Sequence, residues 1–575
     1  MPENLEEKPR LVKSEGFSFF NIEYKERLLY SKYAPEKNIT RIIENLEILP
    51  GTLILIQSPA LFYGYRLLKE KAGTSSFLCA VEYSQELYRF SSEYFIKNFS
   101  GEELPFFSGT MTYELDLFVR KLCSGGKVKR VIPVDFSAET VFFKEEYKAF
   151  ESGIRDIISS FWKNRITLQK MARLYNRNIF KNLRLLENDS ILSQVSKTVI
   201  KPVIVCGAGE SLESFLKNFK KEERDSFFIL CVDAALKALL SYGIKPDAVC
   251  VLESQNAVTD FFTGCTTDGI VFFGDLTTRN EASLLFKKRI WTFTRYTESR
   301  FLDEIEDKKI FSEVFIPMGS VGLYAVQTAL YLRKSEDVPV YVTGLDFSFS
   351  SGKTHSNFTL PHEKLLRGFS RFSSYGTFSS CFCETAKKLS GKNEKTFYTT
   401  VSLNSYAELF KTFFSNKKNL TDIGNSGLNL GIKNIPESEI FSANCKPSTG
   451  TNNKDTFNKG FFYADALKKG AFCTETFREN TGADCSTKKT AHELLQKHLD
   501  ELKKAASLLE NGKASEFHQK DRDLTLEITE LLENKDYLFI HFPDGFKFST
   551  EESFLKRTKA EIIYFIKQLS IILKA

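Results

Sequence analysis

The stretch "KPVIVCGAGESLESFLKNF" (Lys201–Phe219) decides how the chain is read. An apolar strand empties into Gly207-Ala208-Gly209, and helical spacing begins near Ser211. Glycines let the backbone turn tightly, and a helix start offers unpaired N–H groups with the positive end of the helix dipole. The pattern therefore predicts an anion seat made of backbone, with Ser211 as helix cap or phosphate donor. A dinucleotide turn wants a third glycine where this chain has Leu212. That side chain holds helix and strand further apart and disfavours an extended pyrophosphate.

Working outward, "SFFILCVD", "AVCVLES", "GIVFFGD", "RIWTFTR" and "VPVYVTGLD" are short, β-rich and continuously apolar, with amphipathic segments between most of them. This is the pattern of a parallel sheet buried on both faces, so the fold class is α/β with a Rossmann-like core. Asp233 closes the second strand just after the glycine turn, where an acid grips a ribose diol, and Glu253 closes the third. A second glycine cluster, Gly319-Ser320-Val321-Gly322, opens a helix leading to a strand that ends at Gly344-Leu345-Asp346. Lys353, Thr354 and His355 follow in a polar stretch.

The remaining chain sorts by composition. Residues 1–145 hold a further strand–turn–helix pattern, "GTLILIQSPALFYGYRLLKEK", whose turn Gln57-Ser58-Pro59-Ala60 lacks glycine; a degenerate Rossmann-like domain without a ligand is expected. Residues 146–195 read as a helical connector, and 196–440 as a further α/β domain whose Ser/Phe-rich end is a candidate lid. Residues 441–486 read as a polar loop segment, and 487–575 as a C-terminal helical domain.

With 575 residues and a net charge of +6, the chain is a multidomain protein with no basic stripe interleaved with aromatics, which argues against nucleic acid. No apolar run suits a signal peptide or a membrane span. Eleven cysteines without framework spacing point to reduced thiols and a cytoplasmic setting. Cys381-Phe382-Cys383 is too tight for a zinc pair. The single Asp-x-Asp triplet, Asp521-Arg522-Asp523, lies in a charged helical region far from any strand end. No metal is demanded by these motifs.

In order along the chain, "VCGAGESL", "DAALKALLSYGIKPDAVCVLES", "GSVGLYAVQTALYL", "VTGLDFSFSSGKTH" and "DIGNSGLNLGI" resemble the central domain of the motility-associated factor (Maf) family. Those are bacterial glycosyltransferases that place nonulosonic acids, such as pseudaminic or legionaminic acid, on flagellin Ser and Thr. Their central domain is similar to bacterial sialyltransferases, which use CMP-activated sugars. The resemblance covers roughly residues 200–435. It implies a CMP-sugar donor with one phosphate, for which the shorter glycine turn suffices, and no required cofactor. Leu345 stands where many members have Gln, which removes one polar partner beside Asp346.

The implied site combines Gly207, Ala208, Gly209, Ser211, Asp233, Glu253, Gly319, Ser320 and Gly322 around the donor, with Asp346 and His355 as catalytic candidates. Ala208 would act through its backbone. His355 is the expected general base, because an imidazole titrates near neutrality, with His362 in reserve. Three alternatives stay open. An archaeal hydroxymethyl-dihydropterin pyrophosphokinase resembles the same central domain, including "GIKPD", and would use ATP and Mg. The Gly-x-Gly turn with Asp233 admits a dinucleotide oxidoreductase, and the fold admits a noncatalytic flagellin-binding scaffold.

Overall fold

Continuous apolar runs of four to six residues separated by amphipathic segments fold as strands with crossover helices. A computed structural model describes residues 8–13, 19–350, 353–372, 386–444, 485–511 and 522–574. Most of the expected polar segment 441–486, together with Cys381, Cys383 and Asp521, lies outside the described residues. The chain divides into two units: residues up to Ala172 with Ile540–Phe548, and Arg173–Phe539 with Ser549 onward. One helix, Lys144–Leu185, contributes its earlier part to the first unit and its later part to the second.

The first unit opens with a small antiparallel sheet, β1 (Arg10–Lys13), β2 (Phe20–Tyr24) and β3 (Arg27–Leu28). Its core sheet is parallel, β4 (Thr52–Gln57), β5 (Phe77–Glu82), β6 (Phe106–Ser108) and β7 (Arg130–Asp135), in the order β6-β5-β4-β7. The order reverses between β4 and β7, where a ligand would rest in an open parallel sheet. The chain fills that place itself. Ser58 Oγ donates to Glu82 Oε1 (2.7 Å) and lies 2.6 Å from Ser137 Oγ. Glu82 Oε2 accepts from Ala60 N and Ser91 Oγ, each at 3.2 Å, and Tyr147 donates to the neighbouring Glu139. Both carboxyl groups are fully buried.

The second unit holds a parallel sheet of nine strands among the described residues. In chain order these are β8 (Ser190–Ile191), β9 (Val203–Cys206), β10 (Phe228–Val232), β11 (Ala248–Val251), β12 (Val271–Asp275), β13 (Lys288–Thr292), β14 (Val340–Thr343), β17 (Leu420–Asp422) and β18 (Lys433–Asn434). The hairpin of β15 (Lys387–Ser390) and β16 (Thr396–Thr399) stands apart from the sheet. Spatial order is β18-β17-β14-β9-β10-β11-β12-β13-β8. The six runs read as strands from Val203 to Thr343 are all present and all parallel, and the central ones are buried throughout. The chain walks from β9 out to β13, then returns to β14 on the other side of β9. That puts the topological switch point between β9 and β14, and the ligand crevice at their carboxyl ends. The Ser/Phe-rich end expected to be a lid adds β17 and β18 to the sheet beside β14.

Cys79, Cys123, Cys206, Cys231 and Cys250 are buried free thiols, and burial raises each of them. Helices Cys485–Asn511, Arg522–Glu533 and Glu552–Lys574 form the C-terminal helical segments.

Candidate functional site

At the switch point two glycine-bearing strand ends lock together. Gly207 N donates to Thr343 O and Gly209 N to Gly344 O, both at 2.8 Å. A Cβ on Gly207 would lie 2.3 Å from Gly344 O, and a Cβ on Gly344, at φ +70°, 2.3 Å from Gly207 O. Backbone meets backbone here, so neither position admits a side chain.

Behind the turn, Ser211 is the first residue of the helix Ser211–Asn218 and is 2% exposed. Its N–H donates to Asp346 Oδ2 (2.8 Å), its hydroxyl donates to Asp346 Oδ1, and that hydroxyl accepts from Gly344 N (2.9 Å). The anion at this helix start is therefore the chain's own carboxylate. Of the amides expected to cradle a phosphate, those of Gly207, Gly209 and Ser211 are taken by Thr343, Gly344 and Asp346. Asp346, expected to act in catalysis, has both oxygens bonded to Ser211 and is 2% exposed. Its position fixes the turn. Burial pushes its carboxyl up to about 6, against the pull of Lys392 and the Ser211 bonds.

Lys392 is a residue that sequence reasoning passed over. Its ammonium pairs with Asp422 at 2.6 Å, and both side chains are almost fully buried (6% and 3% exposed). Together Asp346, Lys392 and Asp422 tie the ends of β14 and β17 to the glycine turn.

The second helix start stays open. Ser320 precedes the helix Val321–Leu332, which packs across β9, β10 and β11, and no side chain caps it. Gly319 is exposed and Ser320 half-buried. Gly322 lies against Leu345, whose Cδ2 would be 2.6 Å from a Cβ on Gly322 and equally close to one on Gly207. Leu345 thus wedges the two glycine clusters together, which is the packing role open to an apolar residue at that place. The first amides of the helix Val321–Leu332 and the positive end of its dipole face outward without a side-chain cap.

Asp233 begins the helix Asp233–Ser241 at the end of β10 and bonds Ala234 N (2.7 Å). Burial raises its carboxyl to about 7, against the Ala234 amide and helped by nearby Glu253. Glu253 is exposed at the end of β11, where its Oε1 accepts from Gln255 N (2.9 Å).

The segment that carries His355 follows β14 and meets the glycine turn. Ser356 N donates to Ala208 O (3.0 Å), which pins the His355 segment onto the glycine turn. His355 Nδ1 lies 3.1 Å from Thr354 Oγ1. Burial, with His362 nearby, lowers its pKa, which favours the neutral imidazole. His362 is buried on the helix Leu360–Arg367, which lies against Asp233–Ser241 through the Lys237–Glu363 pair (2.6 Å). Beside the turn opens a polar cleft of about 330 Å³, lined by Glu210, Glu213, Ser350, Lys353 and Lys395 among others. Burial pushes Glu213 up, yet its bonds from Lys217 and Lys353 outweigh that and hold it below its ordinary value.

The segment read as a connector holds the loops after β11 and β12. Asn178 donates to Ser254 O (3.2 Å) and Thr277 O (2.9 Å), and Asn182 to Leu276 O (2.9 Å) and Thr278 O (2.8 Å). These carbonyls belong to the loops after β11 and β12. Both asparagines are fully buried, one helical turn apart on one face. Asparagine favours caps and turns over helix interiors, so "YNRNIFKN" carried the signal. Among the described residues no group of three or more His, Cys, Asp or Glu is arranged to hold a metal. No described helix is long and apolar enough to cross a membrane.

Comparison with known proteins bears on this geometry. A solved Maf glycosyltransferase from Magnetospirillum magneticum AMB-1 superposes with a TM-score of 0.55 at 14% identity, covering 99% of this chain and 91% of that one. The two chains share a fold. A family model described as 6-hydroxymethylpterin diphosphokinase MptE-like matches residues 177–352, the stretch from the asparagine helix to the end of β14 and its loop. An uncharacterized protein of Treponema pallidum (strain Nichols) is 29% identical over 570 residues, 98% of this chain and 95% of the relative.

Proposed function

We propose that this protein is a glycosyltransferase that moves a nonulosonic acid, of pseudaminic or legionaminic type, from its CMP-activated donor to Ser and Thr hydroxyls of flagellin in the cytoplasm. The observation that carries the reading is the β9/β14 switch point, with an uncapped helix start after Ser320 and the His355 segment pinned to the glycine turn, in a fold shared with a Maf glycosyltransferase. The donor phosphate rests on the amides and hydroxyl at Ser320–Gly322, where developing negative charge meets preorganised donors. Asp233 holds the ribose. With Nδ1 of His355 directed to Thr354, Nε2 takes the proton of the acceptor hydroxyl. The hydroxyl oxygen bonds to the anomeric carbon as the bond from that carbon to the phosphate oxygen breaks, and CMP leaves with the electron pair. Asp346 acts by holding the turn.

The test is incubation of purified protein and unmodified flagellin with the CMP-activated sugar, read by intact mass. Sugar-sized increments that vanish with His355→Ala are expected; increments that persist in that variant remove His355 as base, and no increment with either sugar type sinks the acceptor and donor assignment. The match to the MptE-like model favours a second reading, diphosphate transfer from ATP with Mg to a hydroxymethylpterin. Release of AMP on mixing Mg·ATP and that pterin would select it.

A further inference from the structure

We propose that Arg177 is an oxyanion seat of the crevice, binding a phosphate or sugar carboxylate of the ligand at the ends of β11 and β12. The inference rests on the crevice being a ligand site, as proposed above.

Cations withdrawn from water elsewhere in this unit find their acceptors. Arg289 forks onto Asp189 (2.7 and 2.8 Å), Lys392 meets Asp422, Lys535 meets Glu501 at 2.6 Å, and Arg333 donates to Lys418 O at 2.7 Å. Withdrawing an unpaired guanidinium from water is unfavourable, which explains that regularity. Arg177 departs from it. It is half-buried, its Nε is buried without an acceptor, and its single bond is a long one from Nη2 to Asn178 Oδ1 (3.5 Å). Among the described residues no carboxylate pairs with it. One turn further along the helix, Lys181 shares Glu281 with Arg279 (2.8 and 2.6 Å), so the local acid is already taken by two other cations.

Placement gives the orphan a purpose. Arg177 lies against the Asn178 amide, whose nitrogen bridges the carbonyls of Ser254 and Thr277. The preceding residue, Asn176, is fully buried; its oxygen accepts from Tyr296 and its Nδ2 has no acceptor. Two adjacent residues thus hold unused donors where the loops after β11, β12 and β13 converge. Strand spacing puts β12 about 14 Å from β9, within reach of an extended nucleotide-sugar lying across the strand ends. A planar fork of donors suits a carboxylate or phosphate.

The experiment is calorimetry of wild type and Arg177→Gln with four probes: cytidine, CMP, CMP-N-acetylneuraminate and Mg·ATP. Loss of a charge-assisted bond predicts about ten- to hundredfold weaker binding of an oxyanion ligand. Cytidine affinity stays unchanged, and Arg177→Lys recovers only part of the loss because it lacks the fork. Weakening of CMP places the phosphate at Arg177; weakening of CMP-N-acetylneuraminate alone places the sugar carboxylate there. Mg·ATP bound by wild type and weakened in the variant, with neither CMP nor the CMP-sugar bound by wild type, keeps the seat and overturns glycosyl transfer. Equal affinity of both proteins for CMP and the CMP-sugar keeps glycosyl transfer and overturns the seat, as does failure of wild type to bind any oxyanion probe at millimolar concentration.

Discussion

Replacing Gly207 with Ala tests the switch point directly. The added Cβ would sit 2.3 Å from Gly344 O and 2.6 Å from the Gly344 carbonyl carbon, both backbone atoms with no rotamer to escape into. The β9 and β14 ends must therefore separate. Separation strains the Gly207–Thr343 and Gly209–Gly344 hydrogen bonds, each worth about 1 kcal/mol. Overpacking adds about 1–3 kcal/mol. The expected loss is about 3–5 kcal/mol, near the top of what single substitutions do. The chain has two tryptophans, Trp162 in the first unit and fully buried Trp291 in the second. With Trp162→Phe as background, urea unfolding followed by Trp291 fluorescence reads the second unit alone. The same background with glycine retained at position 207 is the reference. A Gly207→Ala midpoint matching it would refute the interlocked strand ends and, with them, the placement of the crevice.

Three further outcomes follow from the same physics. Lys392→Met breaks a buried pair and should destabilise the second unit by about 3–5 kcal/mol in urea, whereas Lys411→Met, whose Glu408 pair is exposed, should change it by less than about 0.5 kcal/mol. Asp233, raised by burial to about 7, binds its proton more tightly folded than unfolded, so its contribution is full at low pH and lost as pH rises through about 7. Thermal melts of Asp233→Asn should show a flatter decline of stability across that range than wild type. In the first unit, burial and the neighbouring Glu139 raise Glu82 well above its ordinary value, so stability again falls with rising pH. Glu82→Gln should lose less stability than wild type as pH rises above the ordinary glutamate range, read through Trp162; an equal loss would mean that the carboxyl is not held protonated.

The six central strands were legible because burial on both faces leaves continuous apolar runs between turn signals, and the Gly207 turn and the strand end at Asp346 lie at the sheet's switch point. The chemistry within it was less legible. Sequence places Asp346 at a strand end but cannot say that Ser211, far away in the chain, consumes both its oxygens. Lys392 reads as a surface lysine, since lysine is rarely buried without a partner, and its partner Asp422 comes from a strand of only three residues. The asparagines of the helix Lys144–Leu185 stayed hidden because helical periodicity shows a buried face without showing what it meets.

The passage of Ile540–Phe548 into the first unit has a consequence for biogenesis. Arg165 donates to the carbonyls of Ile540 and Phe542, and the Phe546 ring stacks on Phe161 and meets Trp162 edge-on. On the ribosome, these groups emerge early and wait for almost the entire polypeptide before their covering segment is made. The amino-terminal unit therefore matures last as well as first, and nascent chains stalled short of that segment leave an aromatic surface for chaperones or proteases to find.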